Sequence, residues 1–465
     1  MQNKKLITLI LTISFLYIAS LPVFAEAKKP SKALKGNVAD YKAEYINQDW
    51  WSKFNDPILK GYIIKATQAN HDLKIATLNV SEAQALMRES FGTELPSVSV
   101  SSNIGKEKPS GNTSLYKFLN VNPSTLEAFT MPLTVNYELD LWRKNRQKTL
   151  SLAKNLEAAR YDEKSAYISL TSAVAADYLN AVKADKLIQI QKEIIDFRKT
   201  ILDLTKIKNN EGLCPTTDVV MADKAFTEEQ SALTSLEKQR GIFLNQLAVL
   251  TGESSDNSLK LERTSIDNID LIKDLPLNVS SAVVLKRPDI LKAEAQLQKS
   301  KIDVSIARKD FLPNIVISGQ FGFNSNYYSQ AFDWASHIAS VGAGLSEPLF
   351  SGGQRHARLK LKKYQYQEMF ENYQKTILTS FQEINDSLVS IKADTQKNSN
   401  DINRVNFEKT NLKAINAKYK EGMIAYLDTI QYKERVLSLE KEQIQSKTDC
   451  LIDSLSLYKA IGGKL

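Results

Sequence analysis

The chain has 465 residues, of which 25% are charged, and a formal net charge of +8. Its two cysteines, Cys214 and Cys450, exclude a scaffold built on disulfides. The positive balance is modest for this length and falls to +6 without the two lysines of an N-terminal leader, so it gives no argument for a nucleic-acid partner.

Met1 to Ala25 reads as a cleaved export signal. Lys4 and Lys5 supply the positive end, Leu6 to Leu21 is apolar, and Val23-Phe24-Ala25 places small residues at a cleavage site. A retained membrane anchor competes with this, but the apolar run is short for one. No cysteine lies near the junction, so a lipid-modified N-terminus is not expected.

Trp50-Trp51, Phe54 and Asp56-Pro57 lead into a helix predicted from Ile58 to Phe91, which Leu95-Pro96 ends because Pro disfavours helix before it. Ser97–Gly105 alternates through Val98, Val100 and Ile104, and Lys106–Leu126 is a loop containing Pro109, Gly111 and Pro123. Phe129–Leu141 is apolar at every second position, with Thr130, Pro132, Thr134, Asn136, Glu138 and Asp140 between. That is a strand with one oily and one wet face. The oily face could meet a core or lipid, since ~9–11 residues suffice for a membrane strand.

After Trp142 the spacing becomes 4,3 through Leu152, Leu156, Ala159, Ala166, Leu170 and Ala173, with Glu163 in register. A phase slip leads to a second run from Leu187 to Leu204. A helix from Trp142 to Glu211 would be ~105 Å long. Gly212 and Pro215 stop it. A second helix is predicted over Thr217–Leu250, ending at Gly252, and Glu253–Leu275 is polar and turn-rich.

The chain then repeats. Asp72, Leu95, Pro96 and Gly105 recur as Asp289, Leu312, Pro313 and Gly322, displaced by 217. Glu138 and Arg146 recur as Glu347 and Arg355, displaced by 209, and Glu211, Gly212, Asp218 and Gly252 recur as Glu421, Gly422, Asp428 and Gly462, displaced by 210. The expected organisation is a leader at 1–25, one repeat over 26–275 and a second over 276–465. The second long helix is predicted over Gln354–Lys420, with Tyr366, Phe370, Tyr373, Ile377, Ile384 and Ile391 as a packing stripe.

Four strands per copy are expected, Ser97–Gly105, Phe129–Leu141, Ile315–Phe323 and Ile338–Pro348. Four cannot close a barrel, and an open edge cannot sit in lipid, so copies must share strands. Two copies give eight strands and three give twelve. Polar residues of Phe129–Leu141 would face the lumen; the faces of Ile338–Pro348 are too alike to assign.

These pieces resemble one family. Trp50-Trp51 with Phe54 and Asp56-Pro57, Tyr137-Glu138-Leu139-Asp140-Leu141-Trp142, Lys286-Arg287-Pro288-Asp289-Ile290, Ala307-Arg308 with Phe311-Leu312-Pro313, and Pro348-Leu349-Phe350-Ser351-Gly352-Gly353 are similar to the TolC-like outer-membrane factors, in the branch serving resistance-nodulation-division pumps. The resemblance implies a mainly α fold with a small β part. It implies a homotrimer with a twelve-stranded barrel in the outer-membrane lipid and a long α-helical tunnel in the periplasm. Its implied partners are a periplasmic adaptor and an inner-membrane pump, with no cofactor. The chain departs from the branch in having no lipobox cysteine and in carrying Arg143 where Gly usually follows the Asp-Leu-aromatic run.

The family closes its periplasmic aperture at the hairpin tips. By motif match, Asp218 and Tyr419 would link there and Asp428 would face the pore; both aspartates could instead cap their helices. Gly212, Leu213, Gly422 and Met423 would form the tip that docks the adaptor, and Glu138 and Glu347 would mark the barrel–tunnel junction. No catalytic or metal site is expected: His71, His337 and His356 lack ligand spacing, and Ser351-Gly352-Gly353 reads as a helix-starting turn. The alternatives are an exit duct for type I secretion, or a non-conducting trimeric fibre or adhesin stalk.

Overall fold

The computed structural model describes residues 50–110, 112, 117–118, 124–272, 275 and 284–463. The described residues from Trp51 onward form one compact unit. The leader at Met1–Ala25 and the loop position Gly111 lie outside the described residues.

The unit is mostly helical. Its elements are α1 (Pro57–Ala69), α2 (His71–Gly92), β1 (Ser97–Val100), β2 (Asn103–Glu107), β3 (Leu126–Glu138), α3 (Lys144–Asn210) and α4 (Thr216–Leu250). After these come α5 (Pro288–Lys309), β4 (Asn314–Ser325), β5 (His337–Ser346), α6 (Gln354–Lys420) and α7 (Tyr426–Ala460). The repeat is visible in the lengths. α3 and α6 each have 67 residues, α4 and α7 each 35, and α2 and α5 each 22. The starts of α3 and α6 are displaced by 210, which corrects one sequence equivalence: Arg355 corresponds to Asn145, not Arg146. The one-residue slip falls in the turn between strand and helix, where insertions are tolerated.

The helix expected over Ile58–Phe91 is two helices. Asn70, at φ −59° and ψ 131°, breaks it. Its side chain accepts from Leu73 N at 3.0 Å, capping α2, and donates to the Leu250 carbonyl at 3.1 Å. The break is therefore fixed by a distant helix end as well as by a local cap.

The single strand expected at Ser97–Gly105 is two segments, for a readable reason. β1 and β2 pair with β3 in one continuous antiparallel register, Val100 opposite Leu133 and Asn103 opposite Thr130. Between them Ser101 N donates to Pro132 O at 3.2 Å, and Pro132 has no N–H to return. The ladder lapses there without a bulge. On the other side Pro132 lies opposite Gly322, where a Cβ would come within 2.6 Å of the Pro132 Cα, so only Gly fits.

The sheet runs β1/β2–β3–β4–β5, antiparallel throughout, with β1/β2 and β5 as its two edges. Register assigns the faces. Val135 lies opposite Val98 and Gly319, and Gly319 opposite Val341; Leu133 lies opposite Val100 and Phe321, and Phe321 opposite Ala339. Residues directly opposite share a face. Ala339, Val341, Ala343 and Leu345 thus join the apolar face, and Ser340, Gly342, Gly344 and Ser346 the polar one, which resolves the strand that alternation alone left open. The apolar face is largely uncovered in one protomer: Val341 is 84% exposed and Leu345 69%. Among the described residues no helix is long and apolar enough to cross a membrane.

The helices pack as two hairpins, α3 with α4 and α6 with α7. α2 lies on α3, α5 bridges α3 and α6, and α7 lies along α3. Ile290, Ile384, Ile391, Leu457 and Ala460 form one core cluster; Val80, Ala83 and Leu156 form another. Glu163, the charged residue in the α3 stripe, accepts from Thr77 Oγ1 at 2.6 Å, so its burial costs no unmade hydrogen bond. The turn-rich stretch after α4 is docked rather than free. Ile266 and Ile269 are buried, and Thr264 N donates to the Tyr178 hydroxyl at 3.1 Å.

Candidate functional site at the hairpin tips and the strand-to-helix junction

Both tips are built the same way. In the first, Gly212 has φ +72°, Leu213 N donates to Lys208 O at 2.8 Å and Gly212 N to Asn209 O at 2.9 Å. In the second, Gly422 has φ +71°, Met423 N donates to Lys418 O and Gly422 N to Tyr419 O, both at 2.9 Å. Each is a Schellman end, and its left-handed residue is why Gly is needed. Leu213 and Met423 follow, 76% and 71% exposed, presenting apolar side chains beyond the helix ends. In the first tip Asn209 Nδ2 also donates to Cys214 O at 2.8 Å; in the second the Tyr419 and Tyr426 rings sit 5.7 Å apart.

Asp218 and Asp428 are not N-caps, which corrects the capping alternative as stated. The caps are Pro215 and Ala425, and the aspartates lie three residues on, in the first turn. There their charge suits the positive end of the helix dipole. Asp428 Oδ2 accepts from Ala425 N at 3.2 Å, half of a capping box. The side chains of Asp218 and Tyr419 are exposed and form no hydrogen bond with each other or with another described residue of the protomer. One copy of the chain does not join the pair.

Above the tips, residues that no sequence pattern singles out tie the two hairpins together. Arg198 on α3 pairs with Glu434 on α7 at 2.6 Å, and Lys433 lies over the Phe197 ring at 5.9 Å. The fully buried Gln191 donates to Glu229 of α4 at 2.6 Å and accepts from Lys441 of α7 at 2.8 Å. Burial pushes the Glu434 carboxyl up from its ordinary range, against the pull of Arg198. These partners are far apart in the chain and look like ordinary surface charges, so no local signal could have found them.

At the other end of the long helices, Glu138 closes β3 on the polar face, opposite Val316. Glu347 pairs with Arg355 at 2.8 Å, and Arg355 also donates to the Asp310 carbonyl at 3.1 Å. Lys144 reaches Asp310 at 2.8 Å and Trp142 Nε1 donates to Pro313 O at 2.8 Å, so the two repeats interlock here. Asp140 holds the start of α3, its two oxygens accepting from Lys144 N at 2.6 Å and Arg146 N at 2.9 Å. Arg143 adopts φ +57°, the left-handed conformation that Gly353 takes at φ +79° before α6. The turn keeps its geometry without glycine, at the cost of strain. The three histidines do not gather, and among the described residues no group of side chains could hold a metal.

The model of the outer membrane efflux protein family matches residues 63–253 and 279–463. The pyoverdine export outer membrane protein OpmQ of Pseudomonas putida is 26% identical over 90% of this chain and 88% of its own. The cation efflux system protein CusC of Escherichia coli is 25% identical over 92% of this chain and 90% of its own. Among solved structures, the Campylobacter jejuni CmeC outer membrane channel superposes with a TM-score of 0.82 at 24% identity, over 90% of this chain and 88% of that one.

Proposed function

Because the chain belongs to the outer membrane efflux protein family, we propose that it is the outer-membrane exit duct of a tripartite efflux system, passing small molecules outward from the periplasm. The family and these relatives are transport conduits, so the work is passage and gating, with no bond made or broken. The observation that carries the proposal is a sheet with two unpaired edges and an uncovered apolar face. Such a sheet is stable in lipid only when other copies pair its edges. Three copies, each four strands wide, give a twelve-stranded barrel with the polar face toward a water-filled lumen. The long helices, ~100 Å each, continue the duct into the periplasm. There a periplasmic adaptor and an inner-membrane resistance-nodulation-division pump supply the cargo. Relatives named for pyoverdine export and for cation efflux suggest that one architecture serves unlike small cargoes.

The two repeats, 26–275 and 276–465, supply one hairpin each. Gly212, Leu213, Gly422 and Met423 form the tip that meets the adaptor. Asp218 and Tyr419 of adjacent copies hold the aperture shut, and three copies of Asp428 ring it with negative charge, favouring cations. Glu138 and Glu347 mark the passage from barrel to tunnel.

Single-channel recording in a planar bilayer tests the duct: discrete conductance steps are expected, and a trimer that inserts without conducting would leave only a structural stalk. Asp218→Ala combined with Tyr419→Phe should raise resting conductance with the trimer intact. Unchanged conductance would remove those two residues from the gate.

A further inference from the structure

We propose that the start of the long helices forms a cationic collar that binds the phosphate headgroups of anionic phospholipids in the periplasmic leaflet of the outer membrane. The proposal rests on the barrel reading above and adds a lipid ligand to it.

Exposed apolar residues mark the inner edge of the membrane band. Leu349 and Phe350 are 95% and 89% exposed, and Leu141 and Trp142 stand at the matching turn, 56% and 40% exposed. Consecutive large apolar side chains left bare where a membrane strand ends are the usual interfacial anchors. The headgroup layer beyond them is about 5–8 Å deep, roughly one to one-and-a-half helical turns.

That layer coincides with an excess of positive charge. Segments 138–148, 308–310 and 347–360 hold nine Lys and Arg against four Asp and Glu. Two of the carboxylates are engaged, Asp310 by Lys144 and Arg358, and Glu347 by Arg355. Arg143, Arg146, Arg308 and Lys360 are exposed and form no ion pair with a described residue.

The placement also opposes the helices' own electrostatics. A helix N-terminus carries partial positive charge and favours acidic side chains. α4 and α7 obey this, with Asp218 and Asp428 in their first turns; α3 and α6 have no acidic residue within theirs, and at α3 Asp140 accepts from the first amides from the turn before the helix. Asp140 answers the amides of α3 and Glu347 answers Arg355, but Arg146, Arg308 and Lys360 keep no carboxylate of their own among the described residues, and an anion from outside would relieve their mutual repulsion. A phospholipid phosphate at headgroup depth is such an anion, and juxtamembrane basic clusters bind anionic lipid in this way.

The test is native mass spectrometry of the full-chain trimer, released from micelles holding equal phosphatidylglycerol and phosphatidylethanolamine with identical acyl chains. Retained lipid should be enriched several-fold in phosphatidylglycerol, and loading at about 0.5 M salt should erase the enrichment. Arg146→Gln, Arg308→Gln and Lys360→Gln together should weaken phosphatidylglycerol binding by roughly tenfold, the effect of between one and two of the three cations acting fully. Lys206→Gln, Lys238→Gln and Lys413→Gln, on the helices away from the membrane, should change nothing. A conducting wild-type trimer that retains both lipids equally would overturn the proposal while leaving the duct intact; a trimer that never conducts would overturn the duct. If the collar variant kept its lipid preference but changed the channel's ion selectivity, the cations would line the conduit and the proposal would fall.

Discussion

Arg198→Ala probes the tie between the hairpins. Arg198 Nη2 lies 2.6 Å from Glu434 Oε1, and the two side chains are 32% and 12% exposed. A hydrogen bond to a charged group contributes about 1.5–3 kcal/mol, which exposure of the arginine reduces to about 1–2 kcal/mol per protomer. If opening separates the hairpins, three such ties break, totalling about 3–6 kcal/mol when they act together. The open population should then rise at least tenfold, since each factor of ten takes 1.4 kcal/mol. The effect has a pH signature. Burial raises the Glu434 carboxyl pKa and Arg198 lowers it, so the attraction exists only while Glu434 is ionised. The cost of losing Arg198 is therefore full above that raised pKa and fades as pH falls through it. Glu434→Gln keeps an acceptor and removes the buried charge, so its effect should be smaller and flat with pH. The assay is resting conductance in planar bilayers at neutral and acidic pH, on trimers verified by size. Wild-type conductance in Arg198→Ala at neutral pH would refute the idea that opening parts α3 from α7; an undiminished effect at acidic pH would refute the role of the charge.

Arg143→Gly should stabilise the trimer by about 0.5–1 kcal/mol, because relief of a left-handed residue slightly outweighs the entropy of glycine; thermal melting checks it, and a lower midpoint would refute it. The Asp453 carboxyl is pushed up to about 7 by burial and by Asp394 beside it. A raised carboxylate pKa contributes stability that is fully present only below the ordinary value of 3.8 and is lost as pH rises through the raised one, so Asp453→Asn should raise the melting temperature above pH 7 and leave it unchanged at about pH 3. A gain of equal size at both pH values would point to packing instead. Val341→Lys should cost barrel assembly about 2–4 kcal/mol as a charge in lipid, while Ser340→Lys, one residue away and facing the lumen, should assemble normally. Heat-resistant trimer on a gel reports both, and the reverse order would invert the sheet.

Much of the fold was legible because its signals are local. The tip glycines, the absence of Pro and Gly along α3, and the recurrence of Glu-Gly and Leu-Pro fix helix ends and the repeat within a residue or two. The break at Asn70 was present as Asn followed by an acidic first turn, yet the hydrophobic spacing ran across it. The interruption at Ser101 was invisible in its own strand, since its cause is Pro132 on the neighbour. β5 could not be faced from its own Ser, Gly and Ala residues; pairing with Phe321 and Phe323 supplied the contrast. At the candidate site, Asp218, Tyr419 and Asp428 stood out by distance from a glycine. Arg198, Glu434 and Gln191 did not, because their meaning arises only when α3 and α7 lie side by side.

The equal lengths of the paired helices act as a ruler. α3 and α6 both run 67 residues from membrane edge to tip, and α4 and α7 both return 35. One residue added to α3 alone would lower its tip by about 1.5 Å and swing it by about 100° around the helix axis. A partner that grips six tips in one plane would meet three of them out of step. Changes in length should therefore arise in pairs, the same number of residues in each repeat, or in whole heptads that restore the rotation of the seam. A duct that deepens to span a wider periplasm must lengthen both rods at once.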